Sequence, residues 1–149
     1  MTDKPRHVYT MEIHGSANQI WDAITKGEMT VQYFHELVES DWAVGSKVAY
    51  KNPDGSVVME GEVLEAERPR RLSYSWHALW DPELAKEPLS RVTWEIEPAG
   101  ESCQVTLIHD EFPEGSQVYV EVGKGWQEIL DKMKALVETG RPEASRAAE

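Results

Sequence analysis

The chain of 149 residues holds one cysteine, Cys103. No disulfide can form within it, and without a CxxC pair it builds neither a thiolate zinc site nor a dithiol redox centre. No apolar run approaches the ~20 residues a membrane-spanning helix needs. The opening Met-Thr-Asp-Lys-Pro-Arg-His has none of the apolar character of a secretory signal. A cytoplasmic protein is expected. Basic residues are scarce, 15 against 27 acidic ones, for a net charge of −12. Nucleic-acid phosphates and anionic membrane surfaces both call for a basic stripe, so neither partner is expected. The basic cluster Arg68, Arg70 and Arg71 around Pro69 is too small to change this and reads as a solvated turn.

Catalytic signatures are missing too. GxGxxG, P-loop and GxSxG patterns are absent, so no cofactor is expected and no catalytic residue is assigned. His35-Glu36-Leu37-Val38-Glu39 comes near the zincin pattern. That helix needs two histidines one turn apart, and the second position here is Glu39, so no metal site is expected.

The chain does have helical and strand periodicity in a telling order. Over residues 117–139, Val118, Val122, Trp126, Ile129, Met133, Leu136 and Val137 recur at helical spacing and predict one long amphipathic helix. Ser116 supplies an N-cap, and Gly140 followed by Pro142 a stop. Gly123 and Gly125 interrupt it just before Trp126, each costing about 1 kcal/mol against alanine, which suggests close packing or a gap for a ligand. Upstream, residues 7–14 alternate as a strand. Ser16-Ala17-Asn18-Gln19 forms a capping box before a short helix carrying Ile20, Trp21 and Ile24. A second short helix covers about residues 28–34.

Strand patterns follow at residues 47–51, 57–67, 71–79, 90–97 and 103–112, separated by turns such as Asn52-Pro53-Asp54-Gly55. Short turns imply an antiparallel meander, polar on one face and apolar on the other. The terminal helix is the one element long enough to cover the apolar face. The fold class is therefore α+β: a curved antiparallel sheet of six or seven strands wrapped on a long C-terminal helix, with two short helices between the first two strands. One domain is expected over residues 1–140, with 141–149 a small, polar, frayed tail.

Several pieces carry a resemblance in this order: Ile13-His14-Gly15-Ser16, Ile20-Trp21-Asp22-Ala23-Ile24-Thr25, Asp41-Trp42-Ala43-Val44-Gly45 and Gly61-Glu62-Val63-Leu64-Glu65. Pro69-Arg70-Arg71-Leu72-Ser73-Tyr74-Ser75-Trp76, Ser90-Arg91-Val92-Thr93-Trp94-Glu95-Ile96 and the Gly125-Trp126 helix complete it. Over roughly residues 7–139 the chain resembles the START-like, birch-pollen-allergen-like superfamily of the helix-grip fold (SRPBCC). Within it, the chain is similar to the group named after the C-terminal domain of the activator of the ninety-kilodalton heat-shock chaperone ATPase (AHSA). The resemblance implies a sheet around an internal cavity, often holding an apolar molecule. It implies no shared catalytic set.

Six tryptophans in so short a chain suit either a packed core or a wet-edged pocket. A pocket lining would draw on Trp42, Tyr50, Met59, Tyr74, Trp76, Trp94, Leu107, His109, Val122 and Trp126, apolar and aromatic with a few polar groups. A filled core from the same side chains stays open as the alternative. His109 continues the inward series Val105 and Leu107 and reads as a hydrogen-bonded core histidine or a ligand contact. Asp110 points away from His109 and Glu111 on a strand, so no triad converges. His77 is expected on the solvent side, Trp21 packed under its helix, and Trp80 as a lid over the pocket. The function expected is binding of an apolar or aromatic small molecule. The alternatives are a polyketide cyclase or aromatase-like enzyme, with His109 and Tyr74 or Tyr50 as its polar pair, or a chaperone partner. A monomer or a homodimer is equally consistent with this reading.

Overall fold

In the computed structural model, which describes residues 6–34 and 36–140, the first half of the chain forms β1 (His7–His14), α1 (Ala17–Thr25), α2 (Gly27–Phe34), β2 (Leu37–Glu39), β3 (Lys47–Lys51) and β4 (Val57–Glu67). The second half forms β5 (Arg71–Ala78), β6 (Ser90–Ala99), β7 (Ser102–Asp110), α3 (Gln117–Gly123) and α4 (Trp126–Thr139), with a 3₁₀ turn at Leu84–Lys86 before β6. The strands make one antiparallel sheet of seven in the order β1-β7-β6-β5-β4-β3-β2. Strands β2 to β7 form a meander in chain order. The chain crosses from β1 at one edge to β2 at the other through the two short helices. Register shifts at Tyr50/Lys51 and at Val63/Glu65 bend the sheet, and α4 lies against β1, α1 and α2 in the resulting hollow.

Local chemistry agrees with the sequence at the helix ends. The Ser16 hydroxyl accepts from the Gln19 amide at 3.1 Å, and the Gln19 side chain accepts from the Ser16 amide at 2.8 Å, completing the capping box. Ser116 accepts from the Tyr119 amide at 3.0 Å. Glu87, in the loop before β6, adds to this cap: its carboxylate accepts from the Ser116 hydroxyl at 2.6 Å and the Gln117 amide at 2.7 Å. An anion at a helix N-terminus meets unpaired amides and the positive end of the helix dipole. This contact fastens the β5–β6 loop to α3. Gly140 closes α4 in the left-handed conformation, φ 83°.

Two expectations are corrected. The helix expected over residues 117–139 is two helices. At the join the Lys124 and Gly125 amides reach back three residues, to Glu121 and Val122 at 3.2 Å each, and the α-helical ladder resumes with Ile129 bonding Gly125 at 3.1 Å. The two glycines serve different ends. A Cβ on Gly123 would lie 2.7 Å from the His7 ring, which stacks on Tyr119 with centroids 4.1 Å apart and donates from Nε2 to the Tyr119 carbonyl at 2.8 Å. Gly123 thus permits close packing on β1. A Cβ on Gly125 would meet little, with Ile129 Cδ1 nearest at 4.0 Å. Strand β2 is the second correction: its three residues are too few for alternation to show. Because Leu37–Glu39 is a strand, the helical geometry of the zincin comparison does not arise there. His35 and the expected tail at 141–149 lie outside the described residues.

The inward faces of β5, β6 and β7 bury Leu72, Tyr74, Trp76, Val92, Trp94, Ile96, Val105, Leu107 and His109. The outer face is less solvated than alternation alone suggests. Ser73 and Thr93 are buried there, their hydroxyls 3.0 Å apart. Arg71 is paired with Glu65 and Glu95, and Arg91 with Asp110 at 2.9 Å. Arg68 meets Asp22 and Arg70 meets Glu67, so the basic cluster is neutralised rather than free. His77, expected at the surface, is half-buried and bonded through Nε2 to the Ala85 carbonyl at 2.9 Å. Glu111, φ 65°, has left the strand and is exposed, so it does not share the face of His109.

Strands β4 and β5 approach closely at Gly61, where a Cβ would lie 1.8 Å from the Ser75 carbonyl oxygen. That neighbour is backbone within a ladder and cannot swing aside. Gly61→Ala is expected to cost about 2–3 kcal/mol of unfolding free energy, measured by urea denaturation. An unchanged midpoint would contradict the close approach.

Candidate functional site

The hollow between sheet and helices is mostly filled by aromatic rings, and their polar tips fall into two hydrogen-bonded groups. In the first, the Trp126 indole N–H donates to His109 Nδ1 at 3.1 Å, and His109 Nε2 lies 2.8 Å from the Ser90 hydroxyl. Indole nitrogen is a donor only, so Nδ1 must be bare and Nε2 must carry the proton. His109 therefore donates to Ser90, which in turn donates to the Trp76 carbonyl at 3.4 Å. Burial first, and the nearby His7 second, push the His109 imidazole down to about 3. The ring is neutral, and both nitrogens are engaged. In the second group, the Trp94 indole N–H donates to the Tyr74 hydroxyl at 3.1 Å, and the Tyr74 and Tyr50 hydroxyls are 3.0 Å apart. Desolvation raises both phenols, so neither ionises near neutrality.

At the α3–α4 break the filling stops, and a cavity of about 430 Å³ remains. Phe34 at the end of α2 forms one wall, Val58 and Met59 of β4 with Trp76 of β5 another, and Val122, Trp126 and Ile129 of the two helices a third. Gly125 lies at the break itself, and Trp80, 44 % exposed, stands on the wall towards solvent. Glu36, Asn52 and Glu121 supply the carboxyl and amide side chains of the lining. Burial pushes the Glu36 carboxyl up to about 7. Trp76 is 4 % exposed, yet its indole N–H is buried without a hydrogen-bond partner. A buried donor left unpaired costs about 1–3 kcal/mol. The Trp76 ring lines the cavity while its N–H is turned into the packed interior.

Of the residues expected in a pocket, Met59, Trp76, Val122 and Trp126 come together on this wall. Tyr50, Tyr74, Trp94, Leu107 and His109 are buried in the aromatic filling beside it. Trp42 takes a left-handed backbone, φ 59°, which turns its indole to donate to the Thr25 carbonyl at 3.0 Å at the end of α1. Its ring stands edge-on to Tyr74, with centroids 6.0 Å apart. The sequence did not single out Phe34, Glu36, Asn52, Val58, Glu121 and Ile129 as lining. Ile129 had a signal, since it sits on the margin of the helical stripe. Glu36 had none, because its placement depends on a strand three residues long. A larger depression of about 630 Å³ lies against the β2–β4 edge. It is crossed by the surface ion pairs Lys47–Glu60 and Lys51–Glu39, and such exposed pairs hold little binding energy. Among the described residues no group of three His, Cys, Asp or Glu side chains is placed to hold a metal ion, and no helix is long and apolar enough to cross a membrane.

A curved antiparallel sheet gripping a bent C-terminal helix, with an aromatic hollow at the join, defines the helix-grip class. The chain belongs to the family described as Activator of Hsp90 ATPase homolog 1-like protein, whose model matches residues 14–138. No curated protein matches it by sequence. Among solved structures it is similar to protein MLL2253 from Mesorhizobium loti, with TM-score 0.75, 22 % identity, and 89 % of this chain and 96 % of that one covered. CalU16 from Micromonospora echinospora superposes with TM-score 0.70, 24 % identity, and coverage of 95 % and 86 %. PFC0360w from Plasmodium falciparum, described as an HSP90 activator, superposes with TM-score 0.71, 22 % identity, and coverage of 88 % and 94 %. At these identities the superpositions establish the fold.

The two shifted groups give opposite pH dependences. Unfolded, His109 takes up a proton below about 6.5. Folded, it resists until about 3, so its contribution to stability is lost as pH falls through that window. Glu36 is raised from 4.5 to about 7, so its contribution is greatest below the unfolded value and is lost as pH rises through the folded one. Between about pH 5 and about pH 6.5 the two oppose, and His109 alone would cost up to about 1.4 kcal/mol per pH unit of acidification. Urea denaturation is expected to show a flatter profile for the wild type than for either variant. Acidification destabilises Glu36→Gln and stabilises His109→Gln across that window. Parallel profiles for all three would contradict the two environments.

Proposed function

We propose that this protein binds an apolar or aromatic small molecule in the cavity between β3–β5 and the α3–α4 break, and that it does so in the cytoplasm. The observation that carries the reading is the break itself. A helix stripe that could have sealed the sheet bends at Lys124 and Gly125. The space it leaves is walled by Phe34, Met59, Trp76, Val122, Trp126 and Ile129. Ligand pockets of a few hundred Å³ are typically apolar and aromatic with few polar groups, and this lining has that balance. Of the earlier candidates, Met59, Trp76, Val122 and Trp126 are assigned to contact the guest. Tyr50, Tyr74, Trp94, Leu107 and His109 form the floor that holds those walls in place, and Trp42 buttresses Tyr74. The engagement of both His109 nitrogens favours binding over acid–base chemistry at that residue.

A second reading, contact with a chaperone ATPase, is supported by the family description and by the Plasmodium falciparum neighbour. It is tested by adding the protein to Hsp90 and following ATP hydrolysis, where an unchanged rate would remove it. The first reading is tested with ethylnaphthalene, followed through the tryptophan indole N–H signals in NMR spectra. Saturable shifts at Trp76 and Trp126 are expected. Gly125→Leu, which places a side chain where little would meet it, is expected to weaken that binding at least about tenfold with the spectrum otherwise preserved. No saturable shift in the wild type would overturn the cavity as a binding site.

A further inference from the structure

We propose that Trp80 is the specificity-determining wall of the cavity: its indole turns onto the guest and pairs with it ring to ring, so the site takes planar aromatic molecules in preference to saturated ones of similar outline. This rests on the ligand-binding reading above and specifies the chemistry of the guest. Four aromatic side chains line the space, Phe34, Trp76, Trp80 and Trp126. Three of them are committed to neighbours. Phe34 and Trp126 stand edge to face with centroids 5.9 Å apart, and Trp76 and Trp126 tilt together at 5.7 Å. Phe34 and Trp76 also both meet Tyr50, at 5.0 and 5.8 Å. Trp80 has no ring neighbour and no side-chain hydrogen bond among the described residues. It is also the one aromatic among their exposed large hydrophobic side chains, the others being valines and leucines.

The main chain on both sides of Trp80 is held. The Leu79 amide donates at 2.8 Å to the carbonyl of Val58, itself on the cavity wall. Beyond Trp80, the Asp81 carboxylate accepts from the Glu83 amide at 2.8 Å, and the Asp81 carbonyl from the Ala85 amide at 3.0 Å. Leu84 is buried, His77 bonds the Ala85 carbonyl, and Glu87 clasps the start of α3. The β5–β6 loop is therefore a fixed frame, and the freedom left at the outer wall is rotation of one side chain. An indole turns on two bonds, so bringing it to rest on a guest costs little conformational entropy for the area it covers. Aromatic pairs in offset or edge geometry contribute beyond the area they bury. The deeper rings present whatever surface their neighbours leave, whereas Trp80 can rotate to reach that geometry. A saturated guest fills the same space and buries area, but gives Trp80 no ring to pair with.

The experiment titrates the full chain with ethylnaphthalene and ethyldecalin, similar in outline with and without aromatic rings, by calorimetry and NMR. It uses the wild type, Trp80→Leu and Trp80→Phe. Leucine keeps an apolar wall but removes the ring, so the ratio of the two affinities is expected to fall about fivefold in Trp80→Leu. Phenylalanine keeps a ring, and the ratio is expected to be largely retained. Intermolecular NOEs from the naphthalene to the Trp80 ring protons are expected in the wild type. A merely structural role for Trp80 weakens both guests alike. Where ethyldecalin shows no measurable affinity, the same loss is read on ethylnaphthalene alone. An unchanged ratio or equal losses in Trp80→Leu, or no NOE between guest and Trp80, would overturn the proposal while leaving the cavity a binding site. Failure of both guests to bind the wild type would overturn the ligand-binding reading and this inference with it.

Discussion

Much of this structure hangs on the hydrogen bond from the Trp126 indole N–H to His109, 3.1 Å long and fully buried. Trp126 is the first residue of α4 and His109 lies near the end of β7, the strand next to the β1 edge, so the bond pins the start of the terminal helix to that part of the sheet. It also sets the imidazole tautomer, which orients Ser90 and ties β6 to the Trp76 carbonyl on β5. Four polar groups from four elements are satisfied in one chain. Each would cost about 1–3 kcal/mol if left unpaired in this interior. A large aromatic residue can bury its area in many orientations, and a single directed donor reduces those orientations to one. Around Trp126 stand Phe34, Trp76 and Trp94, with centroids 5.9, 5.7 and 6.0 Å from its ring. They pack as they do because its position is fixed.

The bend in the terminal helix follows from two demands that one straight helix cannot meet. At its N-terminal side, α3 must approach β1 closely enough for the His7 ring to stack on Tyr119 and bond its carbonyl, and a glycine at 123 gives that ring its room. On its C-terminal side, α4 must present Trp126, Leu130, Met133 and Leu136 to the hollow of the sheet. The chain reconciles these by tightening two amides to three-residue contacts at the join, a local 3₁₀-like geometry that redirects the axis. The cavity opens at that point because neither helix covers it. The opening is thus a consequence of how the sheet is gripped at both ends, and not of a missing side chain.

The larger architecture was legible in the sequence because it rests on periodicities that burial enforces. Tyr74 and Trp76 alternate with Ser73 and Ser75 as a half-buried strand must, and Val118, Val122, Trp126, Met133 and Leu136 follow a helix face. The capping box at Ser16 and Gln19 was readable because its partners are three residues apart. What the sequence concealed depends on contacts distant along the chain. The helix break answers to His7, more than a hundred residues upstream. Ser73 and Thr93 are buried on a face where arginines and acids of four strands, β4 to β7, pair with one another. For the site the division is similar. Inward alternation located Met59, Trp76, Val122 and Trp126, but could not separate residues that line a void from those that fill it, such as Tyr74 and Trp94. That distinction comes from hydrogen bonds between strands, which alternation does not encode.

The fold and the chemistry of its interior are separable. Structures at 22–24 % identity reproduce the sheet and the terminal helix with TM-scores of 0.70 to 0.75, and a shared architecture by itself assigns no ligand. What distinguishes this chain's interior must then lie in the side chains that are neither needed for the grip nor satisfied by it. In this chain the grip accounts for Trp94, Tyr74, His109, Ser90 and Trp126, each with its polar atom engaged. It leaves over the Trp76 N–H, buried without a partner, and the Glu36 carboxyl, held near 7 by burial with no cation lining the cavity among the described residues. A folded chain tolerates unsatisfied buried groups only against a cost, and structural need explains neither of these two. Trp76 and Glu36 both line the cavity at the break in the terminal helix, a part of the interior that the grip leaves unfilled.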